Sequence, residues 1–250
     1  DEGAEGGHSS TEGLISVGPH GARGGARTAM TRASGRVRRP EVHRGVELHC
    51  GTQFEEEARA AGHAAVAGVD EVGRGALCGP VVAAAVVLGE GFDTEGLDDS
   101  KRLTRRQRER LDERVRESAR AWAIGRAEPD EIDRLNILQA SLLAMRRAVE
   151  GLSEPPDALL VDALTIPGLE VAQRAIVKGD AVSVSIAAAS IVAKVARDAV
   201  MCELDRQHPG SGLAHNMGYA SEDHRDALRR RGPSVIHRRT FQGTQRWLFA

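Results

Sequence analysis

The sequence predicts an α/β fold: a mixed sheet flanked by helices, with a small helical extension at the C-terminal end. Three observations lead there. Three short β-prone runs follow one another near residues 64–70, 81–88 and 121–127, the first two parted only by a Gly- and Pro-rich turn. Two more short apolar runs, at 158–162 and 175–178, come after a long stretch of helical spacing. Helical patterns then fill most of residues 184–231. Hairpin-like strands followed by alternating helices and strands imply one sheet covered by helices.

Residues 1–52 are rich in Gly, Arg, Ser and His and carry no apolar period, which predicts a disordered tail. The stretch GARGGAR at 21–27 could instead hold RNA weakly. Residues 53–250 are expected to form one folded domain. It begins with a lead-in helix at 54–61. The first strand, near 64–70, ends in adjacent carboxylates, Asp70 and Glu71, and the turn Gly73-Arg74-Gly75 follows. The second strand starts after Gly79-Pro80. Asp99-Ser100-Lys101 lies in a polar loop. Thr104 and Gln107 have capping-box spacing, and the helix they open sets Leu111, Val115, Ala119 and Trp122 on one face. Arg105, Arg106, Arg108 and Arg110 fall in its first turns, against the helix dipole, so a solvated face or a polyanion contact is expected of them.

A third strand is predicted at 121–127, then one long helix at about 130–151 with Ile132, Leu135, Leu138, Leu142, Met145 and Val149 on one side. The run ALLVD, 158–162, is a short buried strand closed by an acid, and 175–178 is a strand followed at once by Gly179-Asp180. A helix at 184–207 is apolar nearly all round as far as Val195, the mark of a buried helix. A last helix covers 222–231, with Ser221 as its cap and Gly232 and Pro233 past its end. The basic segment SVIHRRTF follows.

Composition sets bounds. Apolar residues make up 41% of the 250-residue chain and aromatics 3%, so aliphatic side chains must fill the core. The net charge of −2 does not announce a nucleic-acid partner, but arginines cluster at 23–44, 102–110 and 229–239 as local basic patches. Cys50, Cys78 and Cys202 are widely spaced, which excludes a CxxC zinc site or a disulfide framework and suggests a reducing, cytoplasmic setting. No apolar run is long enough for a membrane span, and no signal-peptide core is present.

The chemistry lies in the acids. Asp70 with Glu71, Asp162 and Asp180 each follow an apolar strand-like run, and the strand ends of one sheet can bring them together. Acids placed there need a cation, either a metal ion or Arg74. Since successive strand residues face opposite ways, Asp70 and Glu71 share one ion only if the strand ends there. Clustered carboxylates do not all stay ionised without cations. Oxygen-only ligands suit Mg2+ or Mn2+ and not zinc, and a pair of such ions fits phosphodiester hydrolysis. No Ser-His-Asp or Cys-His set competes, and His215, His224 and His237 read as surface residues.

Six motifs in fixed order, GVDEVGRG, DDSKRLT, LLVDA, VKGDAVSVSIAAASIVAKVARD, NMGY and GPSVIHRRTF, resemble ribonuclease HII over about residues 54–245. The resemblance implies an RNase H-like fold, with residues 53–250 as a type-2 ribonuclease H catalytic domain. It implies a monomeric endonuclease dependent on Mn2+ or Mg2+. Such an enzyme cuts the RNA of RNA–DNA hybrids and nicks 5′ of single ribonucleotides in duplex DNA, leaving 3′-hydroxyl and 5′-phosphate ends. Carried over by motif, Asp70, Glu71, Asp162 and Asp180 are the metal carboxylates, and Asp198 is set aside as a structural ion pair deep in its helix. Gly73, Arg74 and Gly75 match the turn that reads the ribose 2′-hydroxyl, Tyr219 the residue packed on the sugar at the ribo–deoxyribo junction, and Lys101 a phosphate contact. Asn216-Met217 stands where the family commonly has His-Lys, removing one potential phosphate contact. Arg74 and the tail argue against ribonuclease HIII, which lacks that arginine and has an added N-terminal domain. Another metal nuclease of the same fold and a catalytically silent nucleic-acid-binding protein are the competing expectations.

Overall fold

The computed structural model describes residues 50–246, so residues 1–49 of the expected tail, with the arginine cluster at 23–44, lie outside the described residues, whereas Gly51, also expected in the tail, pairs with the folded domain. Within them, β1 (Val66–Val72), β2 (Val81–Val87), β3 (Ala121–Ala127), β4 (Ala158–Asp162) and β5 (Ala172–Ile176) form one sheet in the order β3-β2-β1-β4-β5. β1, β2 and β3 are antiparallel neighbours, whereas β4 runs parallel to β1 and β5 parallel to β4. The expected mixed sheet is therefore present, flanked by helices. The short helices α6 (Leu213–Asn216), α7 (Glu222–Arg231) and α8 (Gln242–Gln245) form the C-terminal extension.

One face of β1 and β2 packs against α4 (Ile137–Glu150) through Ala67, Val69, Ala83, Ala85, Ala144, Met145 and Ala148. The other packs against α5 (Val184–Gln207), where Ala84 and Val86 meet Ala187, Ala188 and Ile191. Small residues allow a close approach. A Cβ at Gly68 of β1 would land on the Ser185 carbonyl of α5, and one at Gly125 of β3 on the Ala144 carbonyl of α4. These backbones touch only because both positions are glycine.

Several elements depart from expectation for local reasons. The helix expected at 130–151 is two helices, α3 (Pro129–Leu135) and α4, parted at Asn136, which takes φ 71. The Asn136 side chain accepts from the N–H of Leu138 and of Gln139, so it caps the second helix. α2 (Arg105–Ser118) has the capping box expected of Thr104 and Gln107, but it stops before Ala119, and Trp122 belongs to β3. β5 ends at Ile176, because Lys178 adopts the left-handed region (φ 58) and starts a 3-10 turn, Gly179–Ala181. The lead-in helix is α1 (Gln53–Ala60). Its Glu55 is 1% exposed and accepts from Ser183 Oγ and Ser185 N, placing a carboxylate at the N-terminus of α5. Gly51 is bridged to Ser183 just before it.

Candidate metal centre at the end of the sheet

β1 places the first two acids. It runs on to Val72, so Asp70 and Glu71 lie inside the strand and not beyond it: Asp70 pairs with Ala84 and Glu71 with Ala83. Ala84 belongs to the α5 side of the sheet and Ala83 to the α4 side. The two acids therefore leave opposite faces, but only two residues from the strand end. β4 places the third. Val69 is in register with Val161, so Asp162 stands beside Asp70 and on its face. The 3-10 turn after β5 places the fourth, because the Gly179 N–H donates to Asp162 Oδ1 at 2.8 Å and Asp180 follows it.

These groups lie close enough for their charges to act on one another. Asp70 is 5% exposed. Burial, then the charges of Glu71 and Asp162, push its carboxyl well above the usual range, Asp180 adds to this, and a bond from Ser190 works the other way. Burial raises Asp162 to about 6; the Gly179 N–H opposes the rise, and Asp180 and Glu71 reinforce it. The cations on hand neutralise only part of the cluster. Arg74 Nη1 bonds Glu71 Oε1 at 3.0 Å, and Lys101 Nζ lies 2.7 Å from Asp180 Oδ2 and 3.5 Å from Asp99 Oδ1. Burial works against the Lys101 charge, but the bond it donates to Asp180 and the charges of Asp180, Asp99 and Asp70 together outweigh burial and raise the ammonium pKa. Glu71 Oε2 is buried without a hydrogen-bond partner. An orphaned carboxylate oxygen beside Asp70 and Asp162, whose carboxyls are both raised, in an all-oxygen donor set, fits a hard divalent cation.

The other expected site residues frame this cluster. Gly73 takes φ +93, and a Cβ there would meet the Arg197 side chain; one at Gly75 would lie 3.9 Å from Tyr219 Cε1. The turn and the tyrosine are thus neighbours. Tyr219 is 40% exposed and so is not part of the core. Asp198 pairs with Lys194 at 2.6 Å along α5. Arg108, expected to be solvated, donates to the Ser100 and Leu103 carbonyls and so shapes the loop that carries Lys101.

Sequence reasoning missed the residues that hold the frame. Arg197 and Arg238 are fully buried. Arg197 donates to the carbonyls of Pro80, Cys78 and Met217, and Arg238 to those of Gly79 and Arg74. Burial and the neighbouring Arg197 lower the Arg238 guanidinium to about 9, which leaves it charged at neutral pH. Ser100 and Ser190 share a buried bond that ties the Lys101 loop to α5. His224 and His237, expected at the surface, are buried as well. A signal existed for Arg197: it continues the buried row Ile186, Ser190 and Ala193 at helical spacing.

The family profile described as ribonuclease HII matches residues 67–244. The chain belongs to the ribonuclease HII family. Membership places it among the ribonuclease H hydrolases. It is 58% identical over 190 residues to a ribonuclease HII of Myxococcus xanthus, covering 76% of this chain and 65% of that protein's length. It is 52% identical over 195 residues to a ribonuclease HII of Geobacter sulfurreducens, covering 78% of this chain and 90% of that protein. The crystal structure of ribonuclease H2 from Pyrococcus horikoshii is similar at 28% identity and a TM-score of 0.63, covering 73% of this chain and 96% of that one.

The acid cluster carries a testable linkage. Asp162 has a raised folded-state pKa, so its contribution to stability is full below its ordinary value of 3.8 and is lost as pH rises through about 6. Excess Mn2+ is expected to restore that loss. At 100 times its dissociation constant a ligand adds about 2.7 kcal/mol, which is roughly 5–10 °C in Tm for a domain of this size. The rise should be seen at pH 7.5 and be much smaller at pH 5, where protons compete for the same oxygens. Thermal melts with and without Mn2+ at both pH values check this; equal shifts would remove the acids as the binding site.

Proposed function

We propose that this protein is a divalent-metal endonuclease that cuts the RNA strand of RNA–DNA hybrids. It also nicks 5′ of a single ribonucleotide in duplex DNA, leaving 3′-hydroxyl and 5′-phosphate ends, a role in ribonucleotide removal. The observation that carries the reading is the cluster at the sheet end: buried Asp70 raised by Glu71, Asp162 and Asp180, with Glu71 Oε2 unpartnered. Asp70, Glu71, Asp162 and Asp180 would hold Mn2+ or Mg2+. Bound there, a pair of such ions supplies an activated water and a counter-charge for the leaving oxygen.

The rest falls to the chain. The Gly73-Arg74-Gly75 turn brings backbone groups to the 2′-hydroxyl, the one feature by which a protein tells RNA from DNA at a given sugar. Gly73 suits this, having the positive φ that opens the turn. Arg238 fixes the Arg74 carbonyl and so the turn's outlook. Tyr219 lends an exposed ring beside Gly75 on which the junction sugar packs. Lys101, with its side chain 77% exposed, is placed to exchange Asp180 for a backbone phosphate once cations neutralise the acids. Among the described residues no helix is long and apolar enough to cross a membrane. The free cysteines suit a monomer in the reducing cytoplasm.

Three duplexes test the reading: one with a single ribonucleotide, one RNA–DNA hybrid and one all-DNA, each with Mg2+ and with Mn2+ and with the ends mapped. Cutting 5′ of the ribonucleotide and within the hybrid is expected, with the all-DNA duplex intact. Equal cutting of all-DNA duplex would make this a different nuclease on the same fold, and binding without cutting would make it a silent binder.

A further inference from the structure

Cys78, His224 and His237 are buried together, with one ligand atom of each within 4.8 Å of the others. A metal could use such spacing, but the hydrogen bonds speak against it. The Ser234 backbone N–H donates to His237 Nδ1 at 3.0 Å, so Nδ1 is an acceptor and the ring proton of neutral His237 sits on Nε2. That Nε2–H faces His224 Nε2 at 3.1 Å, which must then accept. His224 in turn carries its proton on Nδ1, 2.9 Å from the Tyr219 carbonyl. A single tautomer assignment satisfies every group, and it leaves no lone pair on His237 Nε2 for a metal.

The bonds run one way: Ser234 N–H to His237, His237 to His224, His224 to the Tyr219 carbonyl. Burial lowers His224 and takes His237 to about 4, which keeps both rings neutral at physiological pH. At its far end the chain meets the backbone carbonyl of Tyr219, the residue whose side chain the proposed function assigns to the junction sugar. The Tyr219 carbonyl also accepts from Ser221 N, while the preceding Gly218 carbonyl is held by Leu77 N, two residues past the Gly75 turn. The Cys78–His237 bridge joins the segment after the turn to the C-terminal segment. Tyr219 is therefore braced on two sides, against the 2′-hydroxyl turn through Gly218 and against the C-terminal segment through His224.

We propose that His224 is a positioning residue: its Nδ1–H, bonded to the Tyr219 carbonyl, sets the stance of Tyr219 relative to the Gly73-Arg74-Gly75 turn. The proposal rests on Tyr219 being the junction contact. A purely structural histidine would support the fold without selecting among ring positions. A positioning histidine acts through one bond, the His224 Nδ1–H to the Tyr219 carbonyl.

Two isosteres separate those bonds. His224→Asn keeps a donor where Nδ1 sits, and His224→Gln keeps an acceptor where Nε2 sits but withdraws the donor from Tyr219. Tyr219 is the only tyrosine in the sequence, so 3-fluorotyrosine labelling yields one fluorine resonance. In His224→Gln that resonance is expected to shift or broaden, and kcat/KM on a one-ribonucleotide duplex to fall about tenfold. In His224→Asn both should stay near the parent values even if Tm drops. In a Tyr219→Ala background His224→Gln should cost nothing further. An unmoved resonance in His224→Gln, equal losses in the two variants, or a loss that adds fully to that of Tyr219→Ala would overturn the positioning role. If Tyr219→Ala alone leaves kcat/KM intact while the fluorine resonance still responds to His224→Gln, the junction contact is what fails and the bracing stands.

Discussion

Asp70→Asn is expected to abolish cleavage, with kcat lower by on the order of a thousandfold or more, about 4 kcal/mol of barrier. Substrate affinity measured in Ca2+ should change little, and the metal-free protein should melt higher than the parent. All three follow from the surroundings of one side chain. Asp70 lies nearly out of water, beside β4 and facing the charges of Glu71, Asp162 and Asp180. Asparagine keeps the shape and the acceptor for the Glu71 N–H, whose bond to Asp70 Oδ1 is 2.8 Å. What it removes is negative charge, which is what a divalent cation needs and what the metal-free fold tolerates poorly. If the acids were only salt-bridge partners, the same change would cost stability and spare whatever activity exists. Asp198→Asn is the control: it breaks an ion pair with Lys194 along α5, outside the charges named as acting on Asp70 and Asp162, and should leave kcat close to the parent value. Steady-state rates, filter binding and thermal melts on the two variants decide the matter. Residual activity above a tenth of the parent in Asp70→Asn would remove Asp70 as a metal ligand.

Much of this was legible because it is written in local pattern. Apolar runs closed by acids located β1 and β4, and the all-round apolar run located α5 and its burial. The order of motifs tied those acids to a metal chemistry. What stayed hidden depends on tertiary partners that no local pattern encodes. Asp70 and Glu71 lie within a strand, because β2 pairs with them through Ala84 and Ala83, and a glycine-rich turn two residues on gave no sign of that. Asn136 looked like one more residue of a continuous helix; only its positive φ and side-chain cap divide α3 from α4. Arg238 lies in a segment expected to be a basic patch, and no separate role was expected of Arg197. They are buried because the carbonyls around the Gly79-Pro80 turn lack strand partners, and guanidinium forks supply the donors. The same holds for His224, whose role exists only where residues 78, 219, 224 and 237 meet.

Gly68→Ala should destabilise the protein more than any other single methyl added to the sheet, and it should weaken the site at a distance. The added Cβ would fall on the backbone carbonyl of Ser185 and next to the Ile186 nitrogen. Neither can rotate away as a side-chain end would, so β1 and α5 must separate. Overpacking of a well-filled core costs about 1–3 kcal/mol, and a backbone-on-backbone clash belongs at or above the upper end. Roughly 3 kcal/mol corresponds to a fall in Tm of about 6–12 °C for a domain of this size. The chemistry suffers too, because α5 begins three residues after the turn that holds Asp180, and its Ser190 bonds Asp70 and Ser100. Lifting α5 from β1 draws the preceding turn, which carries Asp180, away from the acids of β1 and weakens their joint hold on a cation. The Mn2+-induced rise in Tm should therefore shrink along with kcat. Gly51→Ala is the matched control, since a Cβ there meets nothing within 4 Å, and its effect should stay within about 0.5 kcal/mol. A Gly68→Ala protein that melts within 2 °C of the parent and responds fully to Mn2+ would mean that the contact between β1 and α5 does not set the spacing of the carboxylates.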